Sequence, residues 1–157
     1  MSDEPVMLTK RGLADLQAEL EELTTVRRAE VAAAIRDAQE LGPDQHDGQY
    51  EDAKNQQAFL EGRISEVERM LENAAVIDER AAHKAKDVRI GSTVTVKTKG
   101  GKSQKYQLVG PAEADPSAGR ISHQSPVGRA LLGKKRGEKV KIQAPGGELE
   151  MTITSVS

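Results

Sequence analysis

The sequence has no cysteine and no tryptophan, and its aromatic side chains are one phenylalanine and two tyrosines. Lack of cysteine excludes a disulfide framework and fits a reducing compartment. Aromatics at 2% and hydrophobic residues at 36% of 157 positions leave too little apolar volume for one large core. A long helical hairpin with a small β domain needs less. No run approaches the roughly 18 apolar residues of a membrane-spanning helix. The opening MSDEPVMLTK lacks the apolar core of a signal peptide. A soluble, cytoplasmic protein without a membrane partner is expected. Internal repeats and low-complexity tracts are also missing.

Familiar catalytic and metal-binding patterns are missing too. No His/Cys/Asp/Glu spacing points to a zinc site, and His83 and His123 read as isolated surface residues. Ser122, His123 and Ser125 come without an accompanying acid or oxyanion signature. KGGK and APGGE are glycine turns without the Lys-Ser/Thr pair of a P-loop.

Charge is plentiful but uneven. Residues 1–85 hold 10 Lys/Arg against 19 Asp/Glu, a net −9, and residues 86–157 hold 13 against 6, a net +7. Opposite signs point to two parts with different partners.

Thr9 is placed to cap a helix. Apolar residues then recur at Leu13, Leu16, Leu20 and Leu23, and again at Val31, Ala34, Ala38 and Leu41. The step from Leu23 through Arg27 to Val31 is 4-4, which departs from the heptad and predicts a local change of supercoil. Tyr50, Ala53, Gln57, Leu60, Ile64, Val67 and Leu71 alternate 3-4 throughout, a stripe that asks for a partner helix. The break between the runs is short, so the two helices are expected to pair antiparallel, with residues 42–49 as a tip loop. Gly42 and Pro43 supply the stop. Asp44 is a candidate N-cap of the second helix, with Asp47 in its first turn.

Residues 78–91 read as a charged connector without apolar rhythm. Residues 92–98 and 105–110 alternate like strands about KGGK, and residues 138–144 and 148–156 like a second hairpin about PGG. In SPVGRALLGKK, Ser125 caps a short helix with Pro126 at its first position. The expected class is α+β: an N-terminal antiparallel α-helical coiled-coil hairpin over 1–78, and an antiparallel β domain with a short helix over 79–157.

Several segments carry a resemblance: LTKRGLADLQAELEEL, YEDAKNQQAFLEGRISEVERML, NAAVID, YQLVGPAEAD, and the run from GRISHQSPVGRALLGKK to APGGELEMTI. By these the chain resembles the bacterial Gre transcript-cleavage factors over nearly its whole length. The resemblance implies an accessory factor, not an enzyme. Its C-terminal domain, FKBP-like in fold, would dock at the rim of RNA polymerase's secondary channel. Its coiled coil would carry acidic tip residues to the catalytic Mg2+, where a water attacks the backtracked transcript. It implies no cofactor of its own, RNA polymerase and the nascent RNA 3′ end as partners, and a monomer in the free state. Two-metal cleavage clamps the attacking and leaving oxygens, and Mg2+ takes oxygen ligands while keeping waters, so one or two carboxylates suffice.

The tip departs from the family's pattern. Cleavage-stimulating members typically carry GDLSENAEY, where this chain has GPDQHDGQY. The family's acidic positions fall on Pro43 and His46, with Asp44 and Asp47 each one residue further along. A neutral imidazole suits softer metals than Mg2+, and an imidazolium would repel it. Homologues with aspartate-rich tips occupy the same channel and inhibit the polymerase. Two readings stay open: a channel-occupying inhibitor, which the tip favours slightly, and a cleavage-stimulating factor of the GreA type. Asp44 and Asp47 are the candidate tip acids, and His46 is a candidate modulator.

By the same resemblance Arg27, Arg28, Arg36 and Lys54 are candidates for touching displaced RNA. Their competing reading is a solvated helix face with pairs such as Arg36 with Glu40. Arg129, Leu131, Leu132, Lys134 and Lys135 are candidates for docking on the polymerase, against the alternative that both leucines pack under the sheet. Two other classes fit less well. A proline isomerase needs an aromatic-lined pocket, and Tyr106 is the one aromatic of residues 86–157. A coiled-coil scaffold or chaperone calls for an apolar tip, and this tip is polar.

Overall fold

The computed structural model describes residues 4–41 and 43–157, and the side chains of these except residues 43–47 and Ala144. The chain divides into two compact units, Leu13–Asn73 and a second made of Met1–Gly12 with Ala74–Ser157.

In the first unit the helical stripes pack as pairs. Helix α1 covers Lys10–Glu22, α2 Arg28–Glu40 and α3 Pro43–Glu72. The heptad positions Ala53, Leu60, Ile64 and Val67 of α3 are buried, as are Leu16, Val31 and Ala38 on the facing run. Val31, Leu60 and Ile64 form one cluster, with Leu20, Leu23 and Ile35 packed on it. Arg28 of α2 bonds Glu61 of α3, while Ala34 and Asp37 line a recess with Gln49, Asp52 and Gln56. Numbering that rises on one helix as it falls on the other makes the pair antiparallel, as the short connection predicts. At 30 residues and about 1.5 Å each, α3 runs roughly 45 Å.

Between α1 and α2 lies a π-helical segment, Leu23–Arg27, where the 4-4 spacing predicts a disturbance. Eight residues separate Leu23 from Val31, one more than a heptad, and the wider turn absorbs the surplus. The Arg28 N–H reaches back to the Leu23 carbonyl. The hydroxyls of Thr24 and Thr25 donate to the Leu20 and Glu21 carbonyls at 2.8 and 2.6 Å, giving groups loosened by the wide turn a partner.

The tip differs from expectation. α3 begins at Pro43, so residues 43–49 continue the helix and do not form a loop. Proline suits this position because the first helical N–H has no intrahelical acceptor to lose. Asp44 accordingly sits within the first turn and is not the N-cap. Gly42 lies outside the described residues, as do the side chains of Asp44, His46 and Asp47.

The second unit is built on a five-stranded sheet ordered β5-β4-β3-β7-β6. Its strands are β3 (Thr93–Thr98), β4 (Ser103–Val109), β5 (Arg120–Ser122), β6 (Lys139–Ala144) and β7 (Gly147–Val156). Alternation sets its buried face: Val94, Val96, Leu108, Val140, Ile142, Met151 and Ile153 join Val88, Ile121 and Leu131 in one core. The α+β class holds, and the two expected hairpins are present. The sheet is mixed, because β5 pairs parallel with β4. Three residues are too few for an alternating signal. The short helix α5, Pro126–Leu131, is capped as expected: Ser125 Oγ accepts from the Gly128 N–H at 3.1 Å.

A second, two-stranded parallel sheet moves the expected division. β1 (Val6–Leu8) pairs with β2 (Ala74–Val76), and the Ile77 N–H donates to the Leu8 carbonyl at 2.7 Å. Both ends of the N-terminal segment thereby join the sheet-bearing unit, and the expected boundary at residue 78 lies inside it. Nor is the charged stretch after it a free connector. Asp78 caps helix α4 (Glu79–Lys84), accepting from Ala81, and Val88 exchanges backbone hydrogen bonds with Gly133 and Lys134.

Candidate functional site

The residues singled out in sequence separate into three groups. The tip acids occupy the start of α3, with Asp44 and Asp47 three positions apart on one helix.

Along the helices, the RNA-contact candidates are partly committed to neighbours. Arg28 grips Glu61 with two hydrogen bonds, 2.9 and 2.8 Å, joining α2 to α3. That bond holds the Glu61 carboxyl below the ordinary carboxylate range. Arg27 pairs with Glu30 one turn on at 2.6 Å. Lys54 donates to the neutral Gln57 at 3.0 Å, and Arg36 is exposed. A comparable clamp missed in sequence is Arg63, whose two bonds to Glu19, both 2.8 Å, tie α3 to α1. Its partner is 44 residues away, so no helical spacing points to it.

The docking candidates divide. Leu131 is fully buried in the core under the sheet and offers nothing to a partner, which corrects its place among docking residues. Its helix is six residues long and holds it inward while Leu132, past the helix end, stays 40% exposed. Arg129, Lys134 and Lys135 are exposed. His123 is half-buried near the Val109 carbonyl rather than a free surface residue.

One structural carboxylate escaped the sequence reading altogether. Glu113 accepts from the Thr9 N–H at 2.7 Å and from the Thr9 hydroxyl at 2.6 Å. The same hydroxyl accepts from the Gly12 N–H at 3.0 Å, the cap expected of Thr9. The carboxylate lies against Gly12 so closely that a Cβ there would overlap it. Gly110 permits a like approach, since its Cβ would strike the Met7 carbonyl. A separation of 104 residues hides this clasp from any local pattern.

Comparison with known proteins gives these groups a setting. Two family models match: "Transcription elongation factor, N-terminal" over residues 6–76 and "Transcription elongation factor, GreA/GreB, C-term" over 83–157. A transcription elongation factor GreA of Roseiflexus sp. is 49% identical over 157 residues, covering 99% of each chain. Another, of Caldanaerobacter subterraneus, is 47% identical over 153 residues, covering 97% of each. A solved structure of the GreA factor homolog 1 protein of Thermus thermophilus is 30% identical, covers 98% of this chain and 99% of its own, and superposes with a TM-score of 0.45. The chain belongs to the GreA/GreB family of transcription elongation factors. Such a protein is an accessory factor and not itself an enzyme.

Among the described residues no group of three or more His, Cys, Asp or Glu side chains is disposed to hold a metal ion. No helix there is long and apolar enough to cross a membrane.

Proposed function

We propose that this protein is a GreA-type factor that stimulates transcript cleavage by backtracked RNA polymerase in the cytoplasm. The observation that carries the reading is full-length similarity, at 47–49% identity, to proteins named GreA. The antiparallel hairpin supports it, because a rod of roughly 45 Å can bring its end to a deep catalytic centre.

In this reading the hairpin enters the secondary channel and presents Asp44 and Asp47 to the polymerase's second Mg2+ and its attacking water. The factor contributes carboxylate oxygens and holds no cofactor of its own. Both aspartates lie one residue beyond the family's usual acidic positions. They stand three positions apart in the sequence, a spacing suited on a helix to two oxygens approaching one hydrated ion. Arg36 and Lys54 serve the displaced RNA, as phosphate contact needs positive charge and little geometry. Arg28 holds the hairpin together through Glu61. Docking rests on Arg129, Leu132, Lys134 and Lys135, with Leu131 securing the helix from beneath, and the free protein is a monomer.

The inhibitory reading rests on one observation, Pro43 and His46 at the positions where stimulating members carry acids. The names of the relatives favour stimulation over it. Adding the protein to stalled, backtracked complexes tests the choice. Faster release of short 3′ RNA fragments supports stimulation, and slower release establishes the inhibitor.

A further inference from the structure

A cavity of about 750 Å3 opens on the five-stranded sheet, wholly within the sheet-bearing unit. None of the residues lining it belongs to the tip, RNA-contact or docking groups. Its floor is set by strand register. Arg120 of β5 faces Gln107 of β4, which faces Thr93 of β3. Alternation turns these side chains away from the core of Val94, Leu108 and Ile121. Adjacent strands stand about 4.8 Å apart, so the row from Arg120 to Thr93 spans roughly 10 Å. Lys105, two residues from Gln107 along β4, shares that face.

Three other elements wall the cavity. The clasp of Glu113 on Thr9 fixes the start of α1, which brings Arg11. Helix α4 supplies Glu79. The turn at Gly119, left-handed at φ 78°, lies against β4, and its carbonyl accepts from the Gln107 N–H at 2.8 Å.

The charges here are unequally committed. Both Glu113 oxygens accept from Thr9. Arg120 comes no nearer than 3.7 Å to Asp115, whose carboxylate already accepts the Ser117 hydroxyl at 2.6 Å. Lys105 is exposed, and among the described residues it enters no ion pair. The floor thus offers two cations to one dianionic group. Glu79 is half-buried and likewise without an ion pair among the described residues. An ionised carboxylate only accepts hydrogen bonds, so it repels a second anionic group and suits hydroxyl donors. Gln107 and Thr93 add neutral hydrogen-bonding groups. Among the described residues no aromatic lines the cavity, and Ala118 is its one apolar side chain. A nucleobase finds no stacking surface there.

The volume lies within the roughly 300–1,000 Å3 of small-molecule sites. We propose that this cavity binds a small phosphorylated sugar, its phosphate on Lys105 and Arg120 and its hydroxyls on Glu79. The inference goes beyond the proposed action on the polymerase and does not depend on it.

Ribose 5-phosphate is the probe, titrated into the full isotope-labelled chain without polymerase and followed by amide NMR shifts. Saturable shifts centred on residues 93, 105–107 and 118–120 are expected, with a dissociation constant of about 1 mM or tighter. Lys105→Gln/Arg120→Gln should weaken binding at least about tenfold. Lys97→Gln/Lys102→Gln removes two charges outside the cavity and should change it less than about twofold. Glu79→Ala should weaken ribose 5-phosphate about fivefold and leave inorganic phosphate bound as tightly or more so. General loss of structure would weaken both. Wild-type protein that binds inorganic phosphate as tightly as ribose 5-phosphate, or a Glu79→Ala variant that binds both as before, would overturn the sugar assignment and leave an adventitious ion only. No saturation by roughly 10 mM probe, shifts centred elsewhere, or equal losses in the two charge-removal variants would overturn the site itself.

Discussion

The helical hairpin and the sheet-bearing unit differ in sign and in how they are held. Leu13–Asn73 carries 6 Lys/Arg against 15 Asp/Glu, a net −9, and the remaining residues carry 17 against 10, a net +7. The hairpin's contacts repeat along two helices: a narrow apolar seam, flanked by Arg28–Glu61 and Arg63–Glu19. The other unit gathers ten side chains into one core from elements scattered over 66 residues, Val88 to Ile153. A seam tolerates local change because each turn has its own contacts. A shared core does not, since every member touches several elements.

The largest effect therefore belongs to the sheet-bearing unit. Leu131→Ala should lower the unfolding free energy by about 2–5 kcal/mol, read by urea titration, whereas the neighbouring Leu132→Ala should stay within about 0.5 kcal/mol. Equal losses would show that both leucines support the core.

Next in size is the Glu113 clasp. Glu113→Ala leaves the Thr9 N–H and hydroxyl without that acceptor at a position only 5% exposed. A loss of about 1–3 kcal/mol is expected in the same titration. An unchanged midpoint would mean that water replaces the carboxylate at no cost.

The hairpin should prove more forgiving. Deleting Val26, 50% exposed within the π segment, restores a seven-residue step from Leu23 to Val31. Stability should change by less than about 1 kcal/mol, because the deletion removes the surplus residue and keeps the seam. A larger loss would show that the wide turn itself supports packing.

Smallest is the response to acid. The Ser117 hydroxyl, with help from the Ala118 N–H and Arg120, holds the Asp115 carboxyl below its ordinary range, as Arg28 does for Glu61. A depressed carboxylate contributes stability above the unfolded pKa and loses it as pH falls through the folded one. Melting temperature should drop slightly as pH falls below about 4, and Glu61→Gln with Asp115→Asn should flatten part of that drop. An undiminished drop would place the acid response elsewhere.

The two units were also unequally legible. Helical seams are written locally, so the stripe from Tyr50 to Leu71, the Thr9 cap and the disturbance after Leu23 could be read from spacing alone. The two β hairpins were legible for the same reason. Strands β1, β2 and β5 were not, because three residues carry no period and their partners are remote in sequence. Helix α4 hid in a charged stretch, although Asp78 ahead of Glu79 was an available capping signal. At the hairpin's tip the local backbone was not legible. Pro43 reads as a stop after Gly42, yet it is equally a good first helical residue. Leu131 and Leu132 are adjacent and chemically alike, and only tertiary packing separates the core residue from the exposed one.

The cleavage role proposed for the hairpin rests on two aspartates, Asp44 and Asp47. The most direct measurement is transcript cleavage by backtracked RNA polymerase in the presence of wild-type protein or of Asp44→Asn/Asp47→Asn, with binding to the polymerase measured in parallel. Stimulation by the wild type and at least a tenfold loss in the variant, with binding intact, is the expected result; the tenfold corresponds to about 1.4 kcal/mol of barrier. Equal cleavage with both proteins at equal occupancy would contradict it.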